Sequence, residues 1–362
     1  MRILFTGGGT GGHIFPIIAV ARQLKKNNPD LEMFFLGAPA GAGFSDVLQK
    51  EGIRIKTILT GKVRRYFSPK IILDIFKMPI GLIQAFLYLY VWMPDIIFNK
   101  GGFGSVPVVL VGWLFRIPIL THESDTIPGL ANRLGAMFSK RIAVSFVSTG
   151  KYFPSKKTAL IGNPIRSAIP MTSEKAKTIL GLTSQKPIIL ILGGSQGAQA
   201  LNQAILGILP QLLEKYEIVH QCGFNNFEEI KRETSQISSD YHLFPFLNES
   251  QMSAAQLLAN LVISRAGAGS IAEIAACGKP SILVPLPGSG SDHQKENAFA
   301  YAQAGATTVV EEENLTLSIF LNEISQILDN PELSQKMSIN AKNFSRPEAA
   351  QKIAETLIEM GQ

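Results

Sequence analysis

A short apolar run that ends in a glycine-rich loop occurs twice in this chain, about half a chain apart. Arg2–Thr6 leads into Gly7–Gly12, and Ile188–Leu192 leads into Gly193–Ala198. A strand, a glycine loop and a helix start in this order are typical of a Rossmann-like domain. Since 362 residues are enough for two domains, the sequence predicts two of them.

Further apolar runs of strand length follow both openings. They are Met33–Leu36, Ile96–Phe98, Ile117–Leu120, Ile142–Phe146, Ile218–His220, Leu261–Ser264 and Ser281–Pro285. These runs are continuous rather than alternating, which indicates strands of a parallel sheet that are buried on both faces. Helical patterns separate them, so we expect an α/β fold. Prolines and polar residues interrupt the pattern at Gly162–Pro170, where we place the domain boundary.

Charge divides the chain at the same place. The formal net charge is +6, but residues 1–164 hold 20 Lys+Arg and 8 Asp+Glu, whereas residues 165–362 hold 14 and 20. The first part is therefore +12 and the second −6. A strongly basic half predicts an anionic partner, which is nucleic acid, anionic lipid or a phosphorylated substrate. Solvated surface charge is the alternative.

The numbers and positions of cysteine and histidine exclude further kinds of protein. Two isolated cysteines, Cys222 and Cys277, build no disulfide framework or zinc cluster, which favours a reducing cytosol. The five histidines are dispersed and there is no Asp-x-Asp pair, so we expect no metal site. The first apolar run gives way to glycine at Gly7, which is too early for a signal peptide.

The segment Ile71–Trp92 is almost entirely apolar. A membrane span is the first interpretation, because about 20 apolar residues cross a bilayer. Asp74, Lys77 and Pro79 weaken it. A basic cluster precedes the segment, formed by Lys62, Arg64, Arg65 and Lys70. A helix lying on an anionic membrane and an ordinary core helix both remain open.

The first glycine loop has G-x-G-x-x-G spacing. Glycines let phosphate approach the backbone amides, and the next helix presents its positive end. The second strand runs into Gly37-Ala38-Pro39 without the acid that a NAD ribose needs, so NAD is disfavoured. A tight packing turn is the alternative. His13, at the helix start, is expected to be neutral and able to accept a proton, unless it only caps or packs there.

Three further polar segments follow predicted strands. Lys100–Ser105 is a second candidate anion loop. Arg265–Glu273 combines backbone amides for phosphate with Glu273 for ribose hydroxyls, although Ser270 and Glu273 also have capping-box spacing. Asp292–Ala298 contains donors and acceptors that suit hydrogen bonding to sugar hydroxyls. The alternative is an ordinary surface loop. Because open α/β sheets bind ligands at strand carboxyl ends, we expect a ligand in a cleft between the domains.

Several motifs occur in the order of one known family. They are Thr6–Pro16, Gly162–Arg166, Gly193–Ala198, Gly267–Glu273 and His293–Ala298. Over almost its whole length the chain resembles the MurG family, the N-acetylglucosaminyltransferases of peptidoglycan synthesis. The resemblance implies a GT-B fold, in which two Rossmann-like domains have parallel sheets facing an inter-domain cleft. It places an acceptor and membrane-binding domain at 1–164, a UDP-sugar donor domain at 165–343, and a helix packing back on the first domain at 344–362.

The resemblance also implies an activity. Members transfer GlcNAc with inversion from UDP-GlcNAc to the 4-hydroxyl of the muramoyl unit of undecaprenyl-pyrophosphoryl-MurNAc-pentapeptide, which converts lipid I to lipid II. They work as peripheral proteins on the cytoplasmic face of the cell membrane. The expected partners are UDP-GlcNAc, the undecaprenyl-linked acceptor and an anionic membrane surface. No nucleic acid, metal or cofactor is expected.

Site residues carry over by matching motif. In the first domain, Thr10, Gly11 and Gly12 are expected at the donor–acceptor cleft, and Gly101 and Gly102 at the acceptor pyrophosphate. Arg166, just past the predicted boundary, is expected at the nucleotide diphosphate. In the second domain the expected ligands are Ser195 for diphosphate, Leu247 for uracil, Ala268, Gly269 and Ser270 for phosphate, Glu273 for ribose, and Gln294 for the sugar. The catalytic base is expected to be His13, with Glu123 as the alternative.

One departure from the family keeps other functions open. Where the family commonly has His-Glu-Gln-Asn, this chain has His122-Glu123-Ser124-Asp125. Asp125 takes the place of an amide near the GlcNAc group, and an ionised carboxylate cannot donate to the acetamido carbonyl. Another GT-B enzyme that uses a UDP-sugar, such as a glycolipid synthase or an epimerase, is one alternative. A non-catalytic, membrane-associated sugar-nucleotide binder is the other.

Overall fold

The structure is a computed structural model, and it describes residues 1–39, 44–61, 70–194, 197–237, 239–289 and 292–362. The chain forms two compact units. The first is Met1–Arg166 together with Arg346–Gln362, and the second is Ser167–Ser345. Each unit contains one parallel sheet, as the continuous apolar runs predict. The assignment of acceptor and donor roles to separate parts of the chain stays a prediction.

The first unit has a seven-stranded sheet in the order β3-β2-β1-β4-β5-β6-β7. Its strands are β1 Arg2–Thr6, β2 Glu32–Gly37, β3 Ile53–Thr57, β4 Ile96–Asn99, β5 Ile119–Glu123, β6 Arg141–Val144 and β7 Thr158–Leu160. Its helices are α1 Gly11–Asn27, α2 Phe44–Lys50, α3 Lys70–Trp92, α4 Val106–Leu114, α5 Leu130–Phe138 and, from the end of the chain, α14 Ala349–Gly361.

Helices cover both faces of the first sheet. Ile3 and Phe5 of β1 pack with α1 and α14, whereas Leu4 between them packs with α3 and α4 on the other face. Successive side chains of a strand point to opposite faces, and here both faces are core, which is why β1 is apolar without alternation.

The second unit has a six-stranded sheet in the order β10-β9-β8-β11-β12-β13. Its strands are β8 Ile188–Leu192, β9 Glu217–Gln221, β10 Tyr241–Phe244, β11 Leu261–Ser264, β12 Ser281–Leu283 and β13 Thr307–Val309. Its helices are α6 Ser173–Leu180, α7 Gln199–Lys215, α8 Phe227–Glu233, α9 Glu249–Leu258, α10 Ala268–Cys277, α11 His293–Gln303, α12 Leu317–Leu328 and α13 Pro331–Phe344.

Both sheets change direction of winding at their first strand. In the first unit β1 lies between β2 and β4, and in the second unit β8 lies between β9 and β11. The loops that leave β1 and β4 are therefore neighbours at one sheet edge, and so are the loops that leave β8 and β11. Ligands of open α/β sheets bind at such switch points. The glycine loops singled out in the sequence occupy both of them.

The apolar segment around residues 71–92 forms helix α3, and the helix has two different faces. Ala85 and Leu89 are fully buried in the core of the first unit. Apolar side chains on the other face are exposed, namely Ile80, Ile83, Phe86, Leu87, Tyr90 and Val91. The interpretation of this segment as a core helix thus accounts for the buried face of α3. It does not account for the exposed apolar face. In the part of the chain that the structure describes, no helix meets the length and hydropathy needed to cross a membrane. Lys62, Arg64 and Arg65 lie outside the described residues.

Candidate functional site

The loops after β1 and β4 approach each other closely. Gly101 and Gly102 have φ angles of 92° and 84°, a region that side chains disfavour. A Cβ on Gly101 would collide with the Asn132 side chain, and a Cβ on Gly102 would lie 3.0 Å from the backbone nitrogen of Gly8. Only glycine fits both positions, so the two candidate anion loops form one continuous backbone surface.

His13 lies beside this surface. It is the third residue of α1, and its Nδ1 is 2.9 Å from the Thr10 hydroxyl oxygen. Burial, together with the positive charge of Lys100, lowers the pKa of His13 to about 3. The neutral tautomer that donates from Nδ1 to Thr10 leaves the Nε2 lone pair free. Nε2 lies 3.4 Å from the position that a Cβ on Gly102 would occupy, so it faces the second glycine loop.

Glu123, the other candidate base, ends β5 and is 3% exposed. Its Oε1 accepts from the backbone N–H of Asp125 at 2.9 Å. Its Oε2 accepts from the backbone N–H of Gly129 at 3.2 Å and from the Asn132 amide at 2.9 Å. Burial and the nearby Asp125 carboxyl raise the pKa of Glu123. Because both oxygens are engaged, the carboxyl fixes the loop after β5 to α5.

Arg166 and Asp125 also belong to this edge of the first unit. The Arg166 guanidinium carbon lies 4.2 Å from the centre of the Phe15 ring, a cation–π contact with α1. Asp125 is half-buried, and its carbonyl oxygen accepts from the Thr149 hydroxyl at 2.9 Å. The first-unit residues predicted by motif are thus gathered around the ends of β1, β4 and β5.

In the second unit, helix α10 follows β11 directly. Its N-cap is Gly267, so Ala268, Gly269 and Ser270 are its first three residues. Their backbone N–H groups have no acceptor within the helix, and such groups bind phosphate. The capping-box interpretation of Ser270 and Glu273 is wrong, because the helix begins before Ser270. Glu273 lies half-buried in the second turn.

Arg265 holds the loop before α10, a role that spacing alone did not reveal. One of its nitrogens forms an ion pair with Glu312, and another donates to the carbonyl of Val284 at 3.2 Å. These contacts connect the end of β11 to the end of β12. The signal in the sequence is an arginine directly after a buried strand.

Leu247 and Gln294 complete the second-unit set. Leu247 is 1% exposed, and its N–H donates to the Gln221 side chain at 3.0 Å. Gln294, the second residue of α11, accepts from the N–H of Leu286 at 3.1 Å. Ser195 lies outside the described residues. Within the described ranges, no group of three or more His, Cys, Asp or Glu side chains is arranged to hold a metal ion.

Comparison with known proteins agrees with this geometry. The glycosyltransferase family 28 N-terminal domain matches residues 3–144, and the family 28 C-terminal domain matches residues 188–353. A solved structure, MurG of Acinetobacter baumannii, is 28% identical, with a TM-score of 0.76 and coverage of 99% of both chains. The fold is therefore GT-B, as the resemblance implied.

Two curated relatives extend over the whole chain. The UDP-N-acetylglucosamine--N-acetylmuramyl-(pentapeptide) pyrophosphoryl-undecaprenol N-acetylglucosamine transferase 2 of Bacillus cereus is 36% identical over 99% of both chains. The enzyme of the same name, without the number, from Thermoanaerobacter sp. is 37% identical over 98% of both chains. Identity at this level over the full length shows that the chain belongs to the family of UDP-N-acetylglucosamine--N-acetylmuramyl-(pentapeptide) pyrophosphoryl-undecaprenol N-acetylglucosamine transferases.

Proposed function

We propose that this chain transfers GlcNAc from UDP-GlcNAc to the 4-hydroxyl of the muramoyl unit of undecaprenyl-pyrophosphoryl-MurNAc-pentapeptide, converting lipid I to lipid II. The observation that carries the proposal is the 36% identity to a transferase of that name over 99% of both chains. Glycine loops at both switch points support it, since both substrates contain a diphosphate.

The transfer proceeds by one in-line displacement that inverts the anomeric carbon. His13 accepts the proton of the attacking 4-hydroxyl at Nε2, while Thr10 holds the ring through Nδ1. The glycosidic bond to the diphosphate breaks, and UDP leaves with the bonding electrons. Glu123 is the weaker candidate base, because both of its oxygens already accept hydrogen bonds.

The growing charge on the leaving UDP requires donors that are already in place. We assign this role to the backbone N–H groups at the start of α10, together with Arg166 and Ser195. Glu273 accepts from the ribose hydroxyls, and Leu247 lies against uracil. Gln294 and Asp125 bind the sugar, and Gly101 and Gly102 bind the acceptor pyrophosphate.

We also propose that the chain lies as a peripheral protein on the inner face of the cell membrane. The supporting feature is the exposed apolar face of α3. Helix α4 packs against α3, and Trp113 and Leu114 at its end are 56% and 61% exposed. Exposed contiguous apolar surface of this kind marks an interaction site. The basic segment at 62–70 adds attraction to anionic lipid. Flotation with anionic liposomes tests this, and no binding at low salt contradicts it.

The activity is tested by incubating the protein with radiolabelled UDP-GlcNAc and lipid I. Label in lipid II supports the proposal, and a His13→Ala variant should lose turnover by at least about 100-fold at saturating donor. Label in a different lipid indicates a glycolipid synthase. UDP release without transfer indicates an epimerase-type reaction, and binding without turnover indicates a non-catalytic binder.

A further inference from the structure

A lysine is buried between the two candidate base residues. Lys100 directly follows β4 in the glycine loop and is 3% exposed. Its ammonium donates to the Ser124 hydroxyl, which in turn donates to the Asn163 side chain at 3.0 Å. Burying an ammonium is costly unless something compensates for it. Ser124 lies between Glu123 and Asp125 in the chain, so two carboxyl groups compensate.

Lys100 also borders His13. A Cβ on Gly7 would lie 3.5 Å from the Lys100 Cβ and 3.6 Å from the His13 Cβ, so the two side chains begin close together beside one glycine. Burial lowers the pKa of Lys100, and Glu123 and Asp125 oppose that change. Burial is the main cause that lowers the pKa of both His13 and His122, and the positive charge of Lys100 lowers both further.

The position of Lys100 bears on how the proposed base stays unprotonated when substrates bind. Both substrates carry a diphosphate, and negative charge near an imidazole increases its affinity for a proton. An imidazole that is already protonated cannot accept the proton of the attacking hydroxyl. A fixed positive charge beside the ring counteracts the substrates.

We propose that Lys100 is a positioning residue for the transfer reaction: its ammonium, held beside His13 by Ser124, keeps the His13 imidazole unprotonated when the diphosphate substrates bind. The role rests on the proposed function, since it presupposes His13 as the base. The groups facing Lys100 are His13 from α1, and His122, Glu123, Ser124 and Asp125 from the end of β5. Burial disfavours the charged ammonium, and Glu123 and Asp125 favour it.

The test follows the His13 ring by NMR in protein with isotope-labelled histidine, with the signal assigned by its loss in His13→Asn. Titrations in the presence of inorganic pyrophosphate or UDP compare the native chain with Lys100→Gln, which retains a donor for Ser124. We expect protonation of His13 in Lys100→Gln to begin about one to two pH units higher than in the native chain. The acid limb of kcat/KM should move in the same direction.

Two further variants separate charge from packing. Lys100→Arg keeps the positive charge and should restore the native onset of His13 protonation. Ser124→Ala removes the hydrogen bond but keeps the charge, and should change the onset less than Lys100→Gln does. If the native chain and a folded Lys100→Gln variant begin to protonate His13 at the same pH, the proposal is overturned. Should Lys100→Gln not fold, Lys100→Met is titrated in its place.

The two proposals fail in different ways. If His13→Asn retains turnover, His13 is not the base and the role of Lys100 is overturned with it, while the transferase activity stands; absence of label in lipid II from the native chain overturns the proposed function itself. If His13→Asn abolishes transfer while Lys100→Gln leaves the titration unchanged, the proposed function stands and the role of Lys100 does not.

Discussion

His13 and Glu123 lie at the same edge of the first sheet, yet their surroundings suit them to different tasks. The His13 ring has one nitrogen next to the Thr10 hydroxyl and the other facing the second glycine loop. The Glu123 carboxyl accepts three hydrogen bonds, from the N–H groups of Asp125 and Gly129 and from the buried Asn132 amide. A group that must accept a proton needs a free lone pair, whereas a group that orders a loop needs partners on each oxygen.

Replacing Glu123 by alanine should therefore lower the free energy of unfolding, an effect that the loss of a catalytic base alone would not produce. The buried Asn132 amide and the partly buried N–H of Asp125 would lose an acceptor, which costs about 1–3 kcal/mol in the free energy of unfolding. Urea denaturation measures this directly. His13→Ala is the matched control at the same edge, since it should abolish turnover while changing the urea midpoint little. An unchanged midpoint in Glu123→Ala contradicts the loop-ordering role.

Buried histidines make stability depend on pH. His220 is fully buried at the end of the second-unit strand β9, where its nitrogens pair with Asn202 and Tyr241. Burial lowers its pKa from 6.5 to about 3. The unfolded chain takes up a proton below pH 6.5 that the folded chain refuses until about pH 3. The stability that depends on a neutral His220 is therefore fully present above pH 6.5. It is lost as the pH falls from 6.5 towards about 3.

We expect His220 alone to remove about 2 kcal/mol of unfolding free energy between pH 7 and pH 5. Urea denaturation at the two pH values checks the effect. His220→Gln, which keeps polar partners for Asn202 and Tyr241, should show a smaller difference between the two pH values. An equal difference in both proteins would show that another group is responsible.

The local sequence predicted the glycine loops and the start of α10, because each depends on neighbours within a few positions. It also predicted a neutral His13 from its place at a helix start, but burial and the distant Lys100 are what lower its pKa. It did not reveal that Glu123 accepts from Asn132, that Lys100 donates to Ser124, or that Ser124 donates to Asn163. The two contacts of Ser124 join residues 24 and 39 positions apart, which the order of the strands brings together, whereas Glu123 and Asn132 are 9 positions apart between β5 and α5. Buried polar partners at long sequence separation leave no local pattern to detect.

At the scale of elements, the strands that the sequence missed share one property. β3, β7, β10 and β13 are the two edge strands of each sheet. An edge strand is covered less completely, so it lacks the continuous apolar run by which central strands are recognised. In β3 only Ile53 is buried, and in β7 Leu160 is 37% exposed. The nine central strands were predicted, with ends shifted by a few residues.

The exposed apolar face of α3 allows the proposed membrane contact to be tested at a single helix. Ile83 and Val91 are 62% and 70% exposed on it. Changing both to aspartate should reduce flotation with anionic liposomes severalfold, because buried charge opposes insertion of an apolar face. Ile339→Asp, at a 52% exposed apolar position on α13, adds charge elsewhere and should leave flotation unchanged. Equal flotation of all three proteins would rule out α3 as the membrane contact.

For the molecule as a whole, the charge split of +12 and −6 acquires a physical interpretation. Under the proposed function, the first part must meet an anionic bilayer and a pyrophosphate-linked lipid, so basic surface is useful there. The second part handles a nucleotide with backbone amides at a helix start, which needs little basic surface. The charge that first allowed nucleic acid as a partner now favours a membrane.

The first unit also depends on the last helix of the chain. Ile353, Leu357 and Met360 of α14 are buried in the same core as α1 and β1. Leu357→Ala should lower the unfolding free energy by about 2–5 kcal/mol, as is typical when a buried leucine leaves a cavity. Urea denaturation measures the loss, and Gln351→Ala on the exposed side of α14 is the control. A loss of less than 1 kcal/mol for Leu357→Ala would contradict its place in this core.

Because α14 is the last helix of the chain but packs in the first unit, the first unit cannot complete its core until translation ends. A ribosome that has completed Arg166 must still translate the whole second unit before Arg346–Gln362 emerges, which takes on the order of 10–40 s. During that interval the nascent first unit exposes the apolar side of α1 that α14 will later cover. Exposed apolar surface of this kind favours aggregation until it is covered. The half of the molecule that is made first is therefore the half that matures last.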